Sequence, residues 1–510
     1  MFFISIILLS VLLAVLVYRL FANFRTRRPP LPPGPRPWPL VGNLPHLGQA
    51  PHQAIADLAR KHGPLMHLRF GMVDVVVAAS ASVAAQFLKT HDANFAGRPP
   101  NSSAKHVAYD YQDIVFAPYG QRWRLRRKIT TAHLFSGKAL ESFRHVRQEE
   151  AAVLVRALAN AGTTAINLGQ LVNLCITNSL GRQILGYRVF GDGSGKTDPR
   201  ADEFKSMVLE TLALAGVFNI GDFVPALQWL DLQGVVAKMK KVHERFDEFL
   251  TTILEEHKAN VGKEKHTDLL SELISQKEDA DGEDGKLTNT EIKALLLNMF
   301  VAGTDTSSST VEWAIAELIR HPKILSQVQE ELDRVVGRDR PVSELDLANL
   351  TYFQAVVKET LRLHPPTPLS LPRIAVESCE INGYHIPKGT TLFVNVWAIA
   401  RDPTEWVDPL EFRPERFLPS GEKAQVDIRG NDFEVIPFGA GRRICVGMNL
   451  GLRIIQLLAA SLVHAFDFYL PDGQVPENLN MDEAYGLTLQ RAVPLMVHPR
   501  PRLAQHIYRV

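Results

Sequence analysis

Cysteine is scarce in this chain: three among 510 residues, at Cys175, Cys379 and Cys445. They stand far apart and none fits a CxxC or zinc spacing, which argues against a disulfide framework and for a reducing compartment. Net charge is nearly absent too, at +1, so no overall basic field points to nucleic acid. No dinucleotide or flavin fingerprint occurs, so electrons for any redox chemistry must come from outside the chain. No internal repeat is visible, and beyond Val41 no linker or charge run divides the chain. What is there is 46% hydrophobic residues, enough for a sizeable core and far from disorder.

Charge is also missing from Phe2 to Tyr18. With Leu20-Phe21-Ala22 following, this run approaches the roughly 20 residues needed to span a bilayer. No basic residue precedes it and no A-x-A-like site follows, as a cleaved signal peptide would require. Arg25, Arg27 and Arg28 place the remainder on the cytosolic side by the positive-inside rule. Pro29 to Pro39 is too rich in proline for helix or central strand and reads as a stiff extended spacer. The expected organisation is an anchor over 1–24, a basic and proline-rich hinge over 25–40, and one catalytic domain over 41–510.

Helical periodicity dominates the remainder. Helices are expected at Pro51–Lys61, Arg144–Asn160, Ala237–Lys258, Thr290–Arg320, Ile324–Val336 and Tyr352–Leu363, with a hairpin of Leu65–Phe70 and Asp74–Ala78 turning at Gly71-Met72. The class is mainly α with a small β portion. Gly191–Thr197 has letters of a phosphate loop, but Phe190 stands where the first glycine is required, so it reads as a surface loop.

Two stretches break the ordinary pattern. Phe438 to Gly447 surrounds Cys445 with glycines, and a buried helix from Met448 follows. A thiolate is a strong, soft ligand for haem iron. Gly439, Gly441 and Gly447 let the backbone approach a flat macrocycle, Arg443 can reach a haem propionate, and a helix N-terminus favours thiolate. The second stretch is Ala302-Gly303-Thr304-Asp305-Thr306 with the hydroxyl residues after it, in the middle of a helix that Thr288 and Glu291 open as a capping box. These are poor helix formers, and a local rule broken inside a strong element points to function. Splitting dioxygen needs protons: Thr306 supplies a hydroxyl and Asp305 an acid, while Gly303 leaves room for oxygen and substrate.

The pattern F-x-x-G-x-R-x-C-x-G, matched at Phe438, Gly441, Arg443, Cys445 and Gly447, together with Ala302–Ser307, resembles the haem-thiolate monooxygenases of the cytochrome P-450 superfamily. The resemblance covers essentially the whole chain. It implies that fold, haem b ligated by Cys445 (the metal ligand) with Phe438 and Gly439 in the cofactor cradle, and Asp305 and Thr306 in catalysis. It implies that Trp123, Arg127 and Arg373 join Arg443 on the propionates, and that Glu359, Arg362 and Arg416 form a buried structural brace. Electrons would come from NADPH through the membrane-bound NADPH–cytochrome reductase, docked on a basic patch of Arg122, Arg124, Arg126 and Lys128. The location implied is the endoplasmic-reticulum membrane, single-pass, with the catalytic domain cytosolic.

Within the superfamily, Val75–Ser80, Ala302–Ser307 and Asn431–Cys445 look like the plant flavonoid 3′-hydroxylases. Two positions depart from that pattern: Ser420 where the first glycine of G-G-E-K stands, and Val446 in place of alanine. The resemblance implies hydroxylation of the flavonoid B-ring in flavanones, dihydroflavonols, flavones and flavonols. The alternatives are 3′,5′-hydroxylation or action on another plant phenolic; a different class is a haem-binding sensor or electron carrier without turnover. Pocket residues are expected in Arg98–Phe116, Leu297–Thr306, Pro366–Leu371 and Tyr485–Leu489, with Phe116, Ala302, Leu369 and Thr488 as candidates. Other enzymes of the same flavonoid chemistry are possible partners.

Overall fold

The structure, a computed structural model, describes residues 29–509 apart from 163, 192–198, 261–267, 279–286 and 472. The expected anchor, its arginines and most of the Gly191–Thr197 loop lie outside the described residues.

Helices form where the apolar spacing called for them, with ends set by caps. The principal ones that frame the site are α1 (Pro51–His62), α2 (Gln121–Thr130), α3 (Arg144–Ala159), α4 (Leu168–Leu185), α5 (Pro199–Gly216), α6 (Val235–Asn260), α7 (Asn289–Arg320), α8 (Pro322–Val335), α9 (Thr351–Leu363) and α10 (Met448–Ala465). The long axis of the fold is α7, 32 residues and so about 48 Å long. Its capping box is complete: Glu291 N–H donates to Thr288 Oγ1 at 3.1 Å and Thr288 N–H to Glu291 Oε2 at 2.9 Å. Pro322 closes its other end, since the residue before a proline is driven out of the helical region. Around α7 pack α4, α6, α9 and α10, and their apolar faces make the main core.

Among the described residues the strands fall in four small sheets, the largest of four strands. β1 (Leu65–Phe70) and β2 (Val73–Ala78) form the expected hairpin, Leu65 opposite Ala78 and Phe70 opposite Val73. β2 then pairs in parallel with β4 (Thr391–Val394), which pairs antiparallel with β3 (Arg373–Ile374). This carries Arg373 toward the cysteine loop, where its Nη2 donates to Ala440 O at 2.7 Å. A separate two-stranded hairpin, Glu483–Ala484 with Gln490–Arg491, presents the Tyr485–Leu489 turn to the middle of α7.

The proline-rich stretch is extended as expected but not free-standing. Prolines offer carbonyls without N–H groups, so the stretch can accept ladder bonds and not return them. Pro33 O takes the N–H of His67 in β1 at 2.8 Å, and Pro30 O takes that of His385 at 2.9 Å. Gly34 lies so close to β1 that a Cβ would stand 1.9 Å from His67 O.

Candidate active site

Cys445 sits in the turn before α10. Its N–H donates to Phe438 O at 3.0 Å, closing the loop. The N–H groups of Gly447 and Met448 point at the sulfur, and Arg127 lies close by; they pull the thiol pKa down, but burial outweighs them and leaves it above the ordinary value. The helix N-terminus alone therefore does not secure a thiolate here; a bound metal cation would. Cys445 is nonetheless exposed by surface while enclosed by protein. A side chain combines the two when it faces open space inside the fold. Ala302 is likewise exposed midway along α7, between the buried Val301 and the half-buried Gly303.

Three features fit haem in that space. Gly439 has φ +68° and nothing within 4 Å of where its Cβ would stand, so its outer side is open to a flat group. Arg98, Arg373 and Arg443 are gathered together beside it. Burial and mutual repulsion hold Arg98 well below the usual guanidinium range, and burial first of all brings Arg373 and Arg443 to about 10. The nearby carboxylates are Asp113 and Asp92, and Nη1 of both Arg373 and Arg443 is buried without a hydrogen bond. Buried cations with unused donors suit the two carboxylates of a haem edge. Arg98 was named from sequence only as the end of a loop; nothing around it in the chain marks it as part of this cluster.

The other expected cradle residues arrive with different contacts. Arg127 donates to Ile444 O at 2.8 Å, next to the sulfur. Trp123 turns its indole N–H to Ile114 O at 2.9 Å, and Arg443 stacks over its ring at 4.5 Å. A Cβ on Gly441 would stand 2.4 Å from Leu88 O and Asp92 Oδ1, so neighbouring chain requires that glycine, whereas one on Gly447 would make only ordinary contact with Phe135. A Cβ on Gly303 would stand 2.9 Å from a methyl of Leu180, so this glycine faces α4.

In α7, Thr306 Oγ1 donates to Ala302 O at 2.7 Å. Asp305 is buried, and its oxygens take Thr488 Oγ1 at 2.6 Å and Gln490 Nε2 at 2.9 and 3.0 Å. Burial nevertheless keeps its pKa above the aspartate range. Thr488, expected at the ring edge of a substrate, is thus committed to Asp305, and Gln490 was missed. Phe116 and Leu369 line a cavity of about 260 Å³ with Pro368, Leu214, Phe393 and Tyr485, close to the ~300–1,000 Å³ usual for small-molecule pockets.

The brace assembles as expected. Glu359 is bonded to Arg362 at 2.7 Å and to Arg416 at 3.1 Å, all three fully buried. The basic patch is smaller than expected. Arg122 and Arg126 both pair with the buried Glu291 at the start of α7, because a carboxylate in the first turn draws cations to it; Arg124 and Lys128 remain exposed.

A cysteine facing open space, a cationic cluster beside it and a hydroxyl–acid pair on α7 fit the haem-thiolate oxygenase class. The cytochrome P450 family model matches residues 32–496, and the chain belongs to that family. It is 70% identical over 507 residues to a flavonoid 3′-monooxygenase of Petunia hybrida, covering 99% of both chains. It is 66% identical over 509 residues to a flavonoid 3′-monooxygenase of Arabidopsis thaliana, covering 99% of this chain and 98% of that one. A flavonoid 3′,5′-hydroxylase of Crocosmia x crocosmiiflora is 54% identical over 509 residues, covering 98% and 96%. When bound through Cys445, haem supplies the oxidising chemistry. Asp305 and Thr306 are adjacent groups able to carry a proton, and the cavity that Phe116 and Leu369 line is mostly apolar.

Proposed function

We propose that this chain is a flavonoid 3′-monooxygenase that inserts one oxygen atom of dioxygen at the 3′ carbon of the B-ring. The second atom leaves as water, and two electrons come from NADPH through a reductase. One observation carries this reading: full-length relatives at 70% and 66% identity bear that activity in their names; an exposed thiol inside the fold and an apolar cavity of about 260 Å³ support it. Flavanones, dihydroflavonols, flavones and flavonols share the B-ring and are the substrates. Hydroxylation at 5′ as well is the second reading, because the relative at 54% carries it in its name.

Cys445 is the metal ligand; Arg98, Arg127, Arg373 and Arg443 form the propionate edge, with the Trp123 ring stacked under Arg443; Asp305 and Thr306 deliver protons. Residues 1–24 anchor the chain in the endoplasmic-reticulum membrane, the hinge over 25–40 follows, and the domain over 41–510 lies in the cytosol. Supporting that placement, Trp38, Leu40, Met72, Trp229 and Leu232 are exposed apolar side chains, and Met72 N–H bonds Phe223 O, so the hinge-side hairpin and the segment ahead of α6 share one face. Arg124 and Lys128 are the exposed cations of α2 for an acidic reductase surface. Microsomes with reductase, NADPH and naringenin should yield the 3′-hydroxylated flavanone. Substrate binding with neither product nor NADPH consumption would instead identify a haem protein without turnover.

A further inference from the structure

Asp113 to Ala117 crosses from the end of a loop to α2 without regular structure, yet its backbone groups are tied from both sides. Arg126 Nη1 donates to Asp113 O at 2.9 Å, Trp123 Nε1 to Ile114 O at 2.9 Å, Arg98 Nε to Val115 O at 3.0 Å and Arg443 Nη2 to Ala117 O at 2.6 Å. The N–H groups of Val115 and Phe116 turn back to the Asp113 carboxylate at 3.2 and 2.9 Å. Those of Ile114 and Val115 reach Asn298 Oδ1 on α7 at 3.0 and 3.3 Å. Asp113 and Asn298 are buried, and the Asn298 side chain also bonds the Asp113 carboxylate.

Local preference does not hold this strip in place. Just before it, Tyr109, Asp110 and Tyr111 all have positive φ, at 51°, 51° and 63°, a region that side chains other than glycine's enter at a cost. The strip's position therefore depends on its outside ties. Arg98 and Arg443 belong to the cationic cluster beside Cys445, and Phe116 stands in the wall of the cavity. Asn298 is the tie from α7, one turn before Ala302.

We propose that Asn298 is a positioning residue: by holding Ile114 and Val115 against α7 it fixes where Phe116 stands in the cavity, and so which ring carbon is presented for hydroxylation. The strip thereby joins the cofactor edge to the substrate wall. For its substrate this rests on the flavonoid reading; for its geometry it does not.

The test compares full-length wild type with Asn298→Ala and Asn298→Asp in microsomes supplied with reductase. Alanine removes the acceptor of the buried Ile114 N–H and one of the two acceptors of the Val115 N–H, and aspartate keeps an acceptor but sets a second carboxylate against Asp113. Asn298→Ala should keep the thiolate-type carbon-monoxide absorption and raise KM for naringenin about tenfold, with kcat changed by less than about twofold. Its product should spread beyond the 3′ carbon, and trypsin should cut at Lys105 several-fold faster without substrate present. Asn298→Asp should exceed alanine in each respect. Wild-type KM, product and cutting rate in Asn298→Ala would overturn the proposal, as would a loss confined to kcat. If alanine does not accumulate folded, Asn298→Ser gives the same readouts. If wild type converts no flavonoid, the flavonoid reading fails, and the trypsin arm, which needs no substrate, still decides the role of Asn298.

Discussion

Replacing Glu359 with glutamine removes one negative charge and almost no volume from the ion cluster that ties α9 to the Arg413–Arg416 segment. The carboxylate takes four donors: Arg362 Nε and Nη2, each at 2.7 Å, Arg413 N–H at 2.8 Å and Arg416 Nε at 3.1 Å. Glutamine keeps one acceptor oxygen, turns an NH2 toward guanidinium donors and leaves the buried Arg362 without a carboxylate and Arg416 with Glu422 alone. Breaking a buried pair in this way costs about 3–5 kcal/mol. The lower end applies here. Arg362 keeps the carbonyls of Ala400, Pro409 and Glu411, and Arg416 keeps Glu422 at 3.1 Å. A domain of about 470 residues has an unfolding entropy near 1 kcal/mol per degree, so ~3 kcal/mol lowers Tm by about 3 °C. Glu422 is the control, because its side chain is 38% exposed and an exposed pair contributes less than about 1 kcal/mol. Calorimetry on haem-loaded proteins at one scan rate compares the two. Equal shifts for Glu359→Gln and Glu422→Gln would refute the argument that burial, not charge pairing itself, sets the cost.

Cys445→Ser should abolish both the thiolate-type carbon-monoxide absorption and all product; a retained band of that type would remove Cys445 from the role of ligand. Because burial raises the Asp305 pKa, this group favours the folded state below the ordinary aspartate range and loses that contribution as pH rises through its folded value. Asp305→Asn should therefore gain Tm relative to wild type as pH goes from about 4 to about 8, while uncoupled NADPH consumption rises; a Tm difference that moves the other way contradicts the assignment. Glu483 is held at about 2 despite its burial, through His52, Arg401 and Trp397. Its stabilisation is present above the ordinary glutamate range and fades as pH falls toward 2, so Glu483→Gln should melt lower than wild type at pH ~7 and converge with it in acid. A Cβ at Gly216 would stand 2.5 Å from the backbone of Gly486 and Leu487, so Gly216→Ala should cost about 1–3 kcal/mol by overpacking and weaken naringenin binding; unchanged Tm and spectral binding would show that the end of α5 yields freely.

The cysteine loop, the capping box of α7 and the triad Glu359, Arg362 and Arg416 were legible because each is written within a few residues or in two short motifs. Helix bounds matched within about two residues for the same reason: periodicity and caps are local. The errors have a common cause. Gly441 is a position where a Cβ meets backbone and Gly303 one where it meets a leucine methyl, but those neighbours, Leu88 with Asp92 in one case and Leu180 in the other, come from distant segments. Arg126 was assigned to an exposed patch because nothing in its own helix announces that Glu291, far along the chain, captures it. Thr488 was assigned to the substrate, and only the approach of the Tyr485–Leu489 turn to α7 shows that Asp305 takes its hydroxyl.

By itself the order of residues determined the class, the ligand sulfur and the hydroxyl–acid pair, since such chemistry needs particular side chains at short, fixed separations along one loop or one helix turn. Tertiary structure alone decided the partners: which arginines gather beside the cysteine loop, which hydroxyl holds Asp305, and how Asn298 pins the strip that carries Phe116. Hydrogen bonds and buried charges are settled by what the fold brings within about 3 Å, and separation along the chain carries no record of it.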